Sequence, residues 1–126
     1  MKKNLTALSL VCLSVFLNAN PPHIVNPVRA FLNANLHDAR NKGFHTVMDL
    51  MEQRNVKIIV ETGTARGGNM AFTGDGGFTI IFGLWALLNK AHLYSVDISE
   101  NAITRAKTMV EPYIDVITFT QNDSVE

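Results

Sequence analysis

The sequence predicts an α/β fold, a parallel sheet whose strands are joined by crossover helices. Three observations predict it. Helically spaced apolar segments alternate along the chain with short, β-branched runs. The first such run, Ile58-Ile59-Val60, ends at Glu61 and opens into Thr62-Gly63-Thr64-Ala65-Arg66-Gly67-Gly68, where glycine lets the backbone turn sharply and approach a ligand. Each run also closes on an acid: Glu61, Asp97 and Asp123. In an open parallel sheet, ligands bind outside the carboxyl ends of the strands, so a site is expected where these acids lie.

The elements follow in order. Asn26 is placed to cap a helix with Pro27 at its first position, and Val28, Phe31, Leu32 and Ala39 keep helical spacing to about Arg40. Gly43 is expected to punctuate. Phe44, Val47, Met48 and Met51 then repeat at i, i+3, i+4 and i+7, an amphipathic helix to about Arg54 whose stripe packs on a sheet. His37 and His45 have no partner at ligand spacing and read as surface or capping residues. Ile58 to Val60 reads as a buried parallel strand. The apolar stretch from Phe78 to Lys90 is too long for a strand and supplies the crossover helix, with Asp75 as its N-cap. Ala91 to Asp97 is the second strand. Ser99 caps a helix carrying Ala102, Ile103, Ala106, Met109 and Val110, which Pro112 ends. Val116 to Thr120 is the third strand, and Gln121-Asn122-Asp123-Ser124 is a polar turn.

Composition narrows the function classes. The chain has 126 residues, 47% of them apolar and 17% charged, as one globular domain requires. Formal net charge is zero and no basic stripe occurs, so nucleic acid is not an expected partner. The single cysteine, Cys12, has no neighbours for a disulfide or a metal site. Lys2 and Lys3 precede the uncharged run Leu5 to Leu17, and Asn18-Ala19-Asn20 follows, the pattern of a signal peptide. Thirteen residues fall short of the ~20 that span a bilayer, so no stable membrane span is expected. Cleavage after Ala19 implies an exported or periplasmic protein; retention implies a cytoplasmic domain held at the membrane. Residues 1–19 thus form a signal or anchor, 20–54 a helical segment, and 55–126 the ligand-binding domain.

Spacing also separates ligand classes. A nicotinamide fingerprint would read G-x-G-x-x-G with its acid ~20 residues further on. Here the loop reads Glu-x-Gly-x-x-x-Gly, and Asp97 lies 34 residues past Gly63. No G-x-x-x-x-G-K-[ST] phosphate loop occurs either. Asp97, closing its strand, is placed to accept two hydrogen bonds from a ribose diol, and Asp123 with Ser124 to meet an adenine edge.

Val60-Glu61-Thr62-Gly63-Thr64-Ala65-Arg66-Gly67-Gly68 resembles motif I of the class I S-adenosylmethionine-dependent methyltransferases. Tyr94-Ser95-Val96-Asp97-Ile98 resembles their second motif, and Asn122-Asp123-Ser124 the turn after their third strand. Gly74 to Gly77, Gly-Asp-Gly-Gly, resembles an extension found in one branch. The resemblance covers about residues 55 to 126 and implies a Rossmann-like sheet of seven strands, of which three are read here. It implies S-adenosyl-L-methionine as cofactor: Glu61, Thr62, Gly63 and Gly67 at the methionine end, Thr64 and Arg66 toward its carboxylate, Asp97 and Ile98 at the ribose, Asp123 and Ser124 at the adenine. No catalytic residue and no metal ligand is assigned. The chain is thus expected to be the cofactor-binding half of a methyltransferase of unknown acceptor. The alternatives are a non-catalytic remnant and a secreted interaction domain. An incomplete sheet also predicts self-association through its unpaired edge.

Overall fold

A computed structural model describes residues 26–67 and 77–123 of the chain. Two helices open it, α1 (Pro27–Asn35) and α2 (Ala39–Gln53), followed by strand β1 (Ile58–Thr62). Helix α3 (Gly77–Asn89) leads to β2 (His92–Asp97), and α4 (Glu100–Met109) with a 3₁₀ turn (Glu111–Val116) leads to β3 (Ile117–Gln121). The strands form one open, all-parallel sheet in the order β1-β2-β3. The α/β class and the alternation of elements are as the sequence predicts. The amino-terminal segment, the Gly74–Gly76 part of the extended loop, Asp75 and Ser124 lie outside the described residues.

Local chemistry explains most boundaries. Asn26 caps α1 by accepting from the Val28 amide at 3.0 Å, with Pro27 following. Helix α1 stops earlier than Arg40. Leu36 is extended, and Asp38 starts α2 by accepting from the Arg40 amide at 2.9 Å. Gly43 therefore does not punctuate: it lies inside α2, with open space where a Cβ would be. A glycine in a helix interior costs ~1 kcal/mol against alanine, which the flanking stripe outweighs. Ser99 caps α4 as expected, through the Ala102 amide. The helix ends at Met109, with Val110 leaving helical backbone, ahead of Pro112, which has no N–H to continue the α-helical ladder. Pro112 sits in the 3₁₀ turn instead, and β3 starts at Ile117 rather than Val116.

The core lies between the sheet and one helical layer. Val28 and Leu32 of α1, Met48 and Met51 of α2, and Ile81, Phe82 and Trp85 of α3 pack over Ile59, Leu93 and Ile117, which are aligned across the three strands. The described part of the helical segment, residues 26–54, thus shares its core with the sheet. Gly83 lets α3 lie close, since a Cβ there would stand 2.6 Å from Ile117 Cδ1 and 2.9 Å from the Tyr113 ring. The Tyr113 hydroxyl donates to the Ile80 carbonyl, and burial pushes its pKa up to about 12.

The opposite face is bare. Ile58 and Val60 are 67% and 65% exposed, and Tyr94, Thr118 and Thr120 are exposed beside them. The expectation of a fully buried first strand is corrected here. β1 alternates, and it runs on through Glu61 to Thr62. The reason is topological. Both crossovers advance in the same direction across the sheet, and right-handed connections then put both helices on the same side.

Among the described residues β1 is also an edge strand. Lys57 O accepts from His92 N and Gly63 N donates to Val96 O, so odd-numbered residues bond to β2. The backbone groups of Ile58, Val60 and Thr62 point outward, with no proline to block pairing. With zero net charge there is little repulsion between copies. Concentration-dependent association is expected in sedimentation velocity, and Val60→Lys should reduce it. A wild-type monomer at every accessible concentration contradicts this.

Candidate functional site

The three strand ends enclose a cleft of about 230 Å³, lined by Thr62, Gly63, Arg66, Val96, Asp97, Ile98, Asn122 and Asp123. A second hollow, of about 350 Å³, lies on the other side of the β1 end and is lined by Val60, Glu61, Thr62, Gly63 and Phe78. The two share Thr62 and Gly63, and jointly they reach the roughly 300–1,000 Å³ usual for cofactor sites. Gly63 turns the chain out of β1 with φ of 85°, a left-handed conformation that glycine adopts without strain.

Two buried acids on the covered face pin the loop that follows. Asp97 Oδ2 accepts from the Thr64 amide at 2.9 Å, and Oδ1 from the Ser99 amide at 2.8 Å. Arg66 Nη2 lies 3.4 and 3.3 Å from the same two oxygens. Burial alone would raise the Asp97 pKa; the Ser99 and Thr64 amides and the Arg66 guanidinium together outweigh it and hold the carboxyl below its usual range. Glu61 is the second acid. It accepts from Thr79 Oγ1 at 2.8 Å and Ser95 Oγ at 2.7 Å, and Thr79 Oγ1 in turn accepts from the Ala65 amide at 2.9 Å. Burial pushes the Glu61 carboxyl up, against the opposing pull of the two hydroxyls. Successive amides of the loop, Thr64 and Ala65, are therefore held by two different strand ends.

Comparison with protein-family models, with curated proteins and with solved structures finds no match to this chain. The site is therefore read from its own geometry.

Of the residues picked out in the sequence, Thr62, Gly63, Arg66, Asp97, Ile98 and Asp123 line the first cleft, and Glu61 lines the second hollow with Thr62 and Gly63. Thr64 is buried; its amide bonds to Asp97 and its hydroxyl lies 3.4 Å from that of Thr79. Gly67 is half-buried beyond the loop, and Ser124 lies outside the described residues. Ile98 is 66% exposed at the rim of the cleft, an apolar ledge beside a carboxylate. The site also draws on Thr79, Ser95 and Asn122, which the sequence does not single out as ligand residues. Thr79 lies within an apolar helical run. Ser95 had a usable signal: period two places Leu93, Ser95 and Asp97 on one face, and Ser95 aligns with Glu61.

Of the described histidines, His45 and His92 are engaged in ordinary surface contacts. His37 is exposed; His45 lies between Arg29 Nη1 at 3.0 Å and Asn33 Oδ1 at 2.8 Å, tying α2 to α1. Among the described residues no three His, Cys, Asp or Glu side chains are grouped to hold a metal ion, and no helix is long and apolar enough to cross a membrane.

Proposed function

We propose that this chain is the S-adenosylmethionine-binding portion of a Rossmann-like methyltransferase of the class I type. One observation carries the reading: a glycine turn, a buried acid and a polar turn, from three successive parallel strands, meet around one cleft at the strand carboxyl ends.

The residues fit the cofactor in kind. Asp97 can accept from a ribose diol on the lone pairs its backbone bonds leave over, because a carboxylate offers about four. Ile98 gives a base an apolar ledge, and Asn122 and Asp123 bring polar groups to its edge. The hollow beyond Thr62 and Gly63, with Phe78 on its wall, would take the methionine end. The bound sulfonium would supply an activated methyl group. The protein's share is to align it with a nucleophile and exclude water. Glu61 lines that hollow and also holds the loop through Thr79. A binding module without catalysis is the second reading. It is favoured by the cleft's described polar side chains, which suit holding a ligand better than moving a proton.

Isothermal titration with S-adenosylhomocysteine tests the proposal. Binding is expected, and Asp97→Ala should weaken it by about 2–3 kcal/mol, roughly 30- to 150-fold, through the lost diol contact and the loosened loop. A folded wild-type chain that takes up no S-adenosylhomocysteine would sink the reading.

A further inference from the structure

We infer that Arg66 is a displaceable guard on Asp97, a residue that sets how tightly, and with what salt dependence, the cleft takes a vicinal diol. The inference rests on reading the cleft as a nucleoside site. It starts from an imbalance between two partners: the Asp97 side chain is 1% exposed, whereas that of Arg66 is 55% exposed. The two backbone amides on Asp97 are short and cannot leave without moving the loop or the start of α4. Arg66 differs. A single guanidinium nitrogen straddles both oxygens at 3.3 and 3.4 Å, where a charge-assisted bond normally measures about 2.7–2.9 Å. The partner of the carboxylate that lines the cleft with it is thus the one with the longest contacts and the most exposed side chain.

A ribose diol presents two O–H donors side by side. Binding replaces one long, shared contact by two short ones and returns a half-exposed guanidinium to water. The ion pair must be given up first, and with the guanidinium half-exposed and its contacts long the pair is worth about 1 kcal/mol, which converts to about five-fold in affinity. Arg66 therefore weakens diol binding modestly at low salt. At about 1 M salt the Debye length falls to about 3 Å, and screening from the exposed guanidinium side reduces the handicap.

The test is titration of wild type and Arg66→Gln with adenosine and with 2′-deoxyadenosine, at low and at high salt. Arg66→Gln should bind adenosine up to about five-fold tighter at low salt, with the gap narrowing at high salt. Its affinity for 2′-deoxyadenosine, which lacks the diol, should match wild type. If wild type binds adenosine and Arg66→Gln binds it equally or more weakly, the guard role is overturned while the nucleoside site stands. If neither protein binds adenosine, or neither prefers it to the deoxy compound, the site reading falls and the guard role with it. Circular dichroism of the variant controls for folding, which an exposed position should leave intact.

Discussion

Trp85→Ala should cost about 3–5 kcal/mol, the range for emptying a large aromatic site in a core. Trp85 is the largest of the fully buried side chains and sits in α3, over the sheet. A domain of this size is stabilised by only about 5–15 kcal/mol, so the variant should lose a large fraction of its stability and melt well below wild type. Trp85→Phe should behave quite differently. The indole Nε1 is buried with no hydrogen-bond partner among the described residues. An unsatisfied buried donor costs about 1–3 kcal/mol, and phenylalanine removes it while keeping most of the ring. The smaller ring leaves some space, so Trp85→Phe should fall within about 1.5 kcal/mol of wild type. Urea unfolding followed by circular dichroism measures both variants, since the chain has one tryptophan and its fluorescence is lost with it. Equal destabilisation by Phe and Ala would show that the ring is held by its N–H and not by its volume.

Glu61→Ala comes next, at about 2–4 kcal/mol, since it strands the Ser95 and Thr79 hydroxyls and loosens the amide anchor at Ala65. The same carboxyl shapes the pH profile. Its folded pKa is raised, so its contribution is full below the unfolded carboxyl value and is lost as pH rises through the raised one. Asp97 acts in the opposite sense. Its folded pKa is lowered, so its contribution is present above the unfolded value and is lost as pH falls through the lowered one. Wild type should therefore be most stable in mildly acidic solution, between the two transitions. Glu61→Gln should abolish the decline toward neutral pH and leave the acid limb in place. Thermal melts across the pH range decide it, and an unchanged decline in Glu61→Gln would remove Glu61 as its source.

Much of this architecture was legible in the chain. Proline and serine caps, β-branched runs and a long apolar crossover are local signals, and the elements they predict are present. The misreadings share one cause. Gly43 reads as a break on propensity alone, whereas the helix boundary is set seven to five residues earlier by the Leu36–Asp38 turn and the Asp38 cap. Ile58 and Val60 looked buried because β-branched runs usually are in parallel sheets. Which face a strand presents depends on the direction of its crossovers, and that is written nowhere in the strand itself. The cleft residues were legible because strand ends and glycines are visible in sequence. The roles of Thr79 and Ser95 were not, since they arise only when α3 and β2 are brought over Glu61.

The strand order has a consequence for how the chain comes into being. Among the described residues β2 pairs with β1 and β3 with β2, so this sheet can grow from one side as the polypeptide is synthesised. No strand waits for a later one to be inserted between it and its neighbour. Each crossover closes a loop of modest length, and the apolar layer beneath α3 is sealed when Ile117 arrives beside Leu93. Assembly and translation can therefore run in the same direction, with β1 the oldest strand and the one left at the margin.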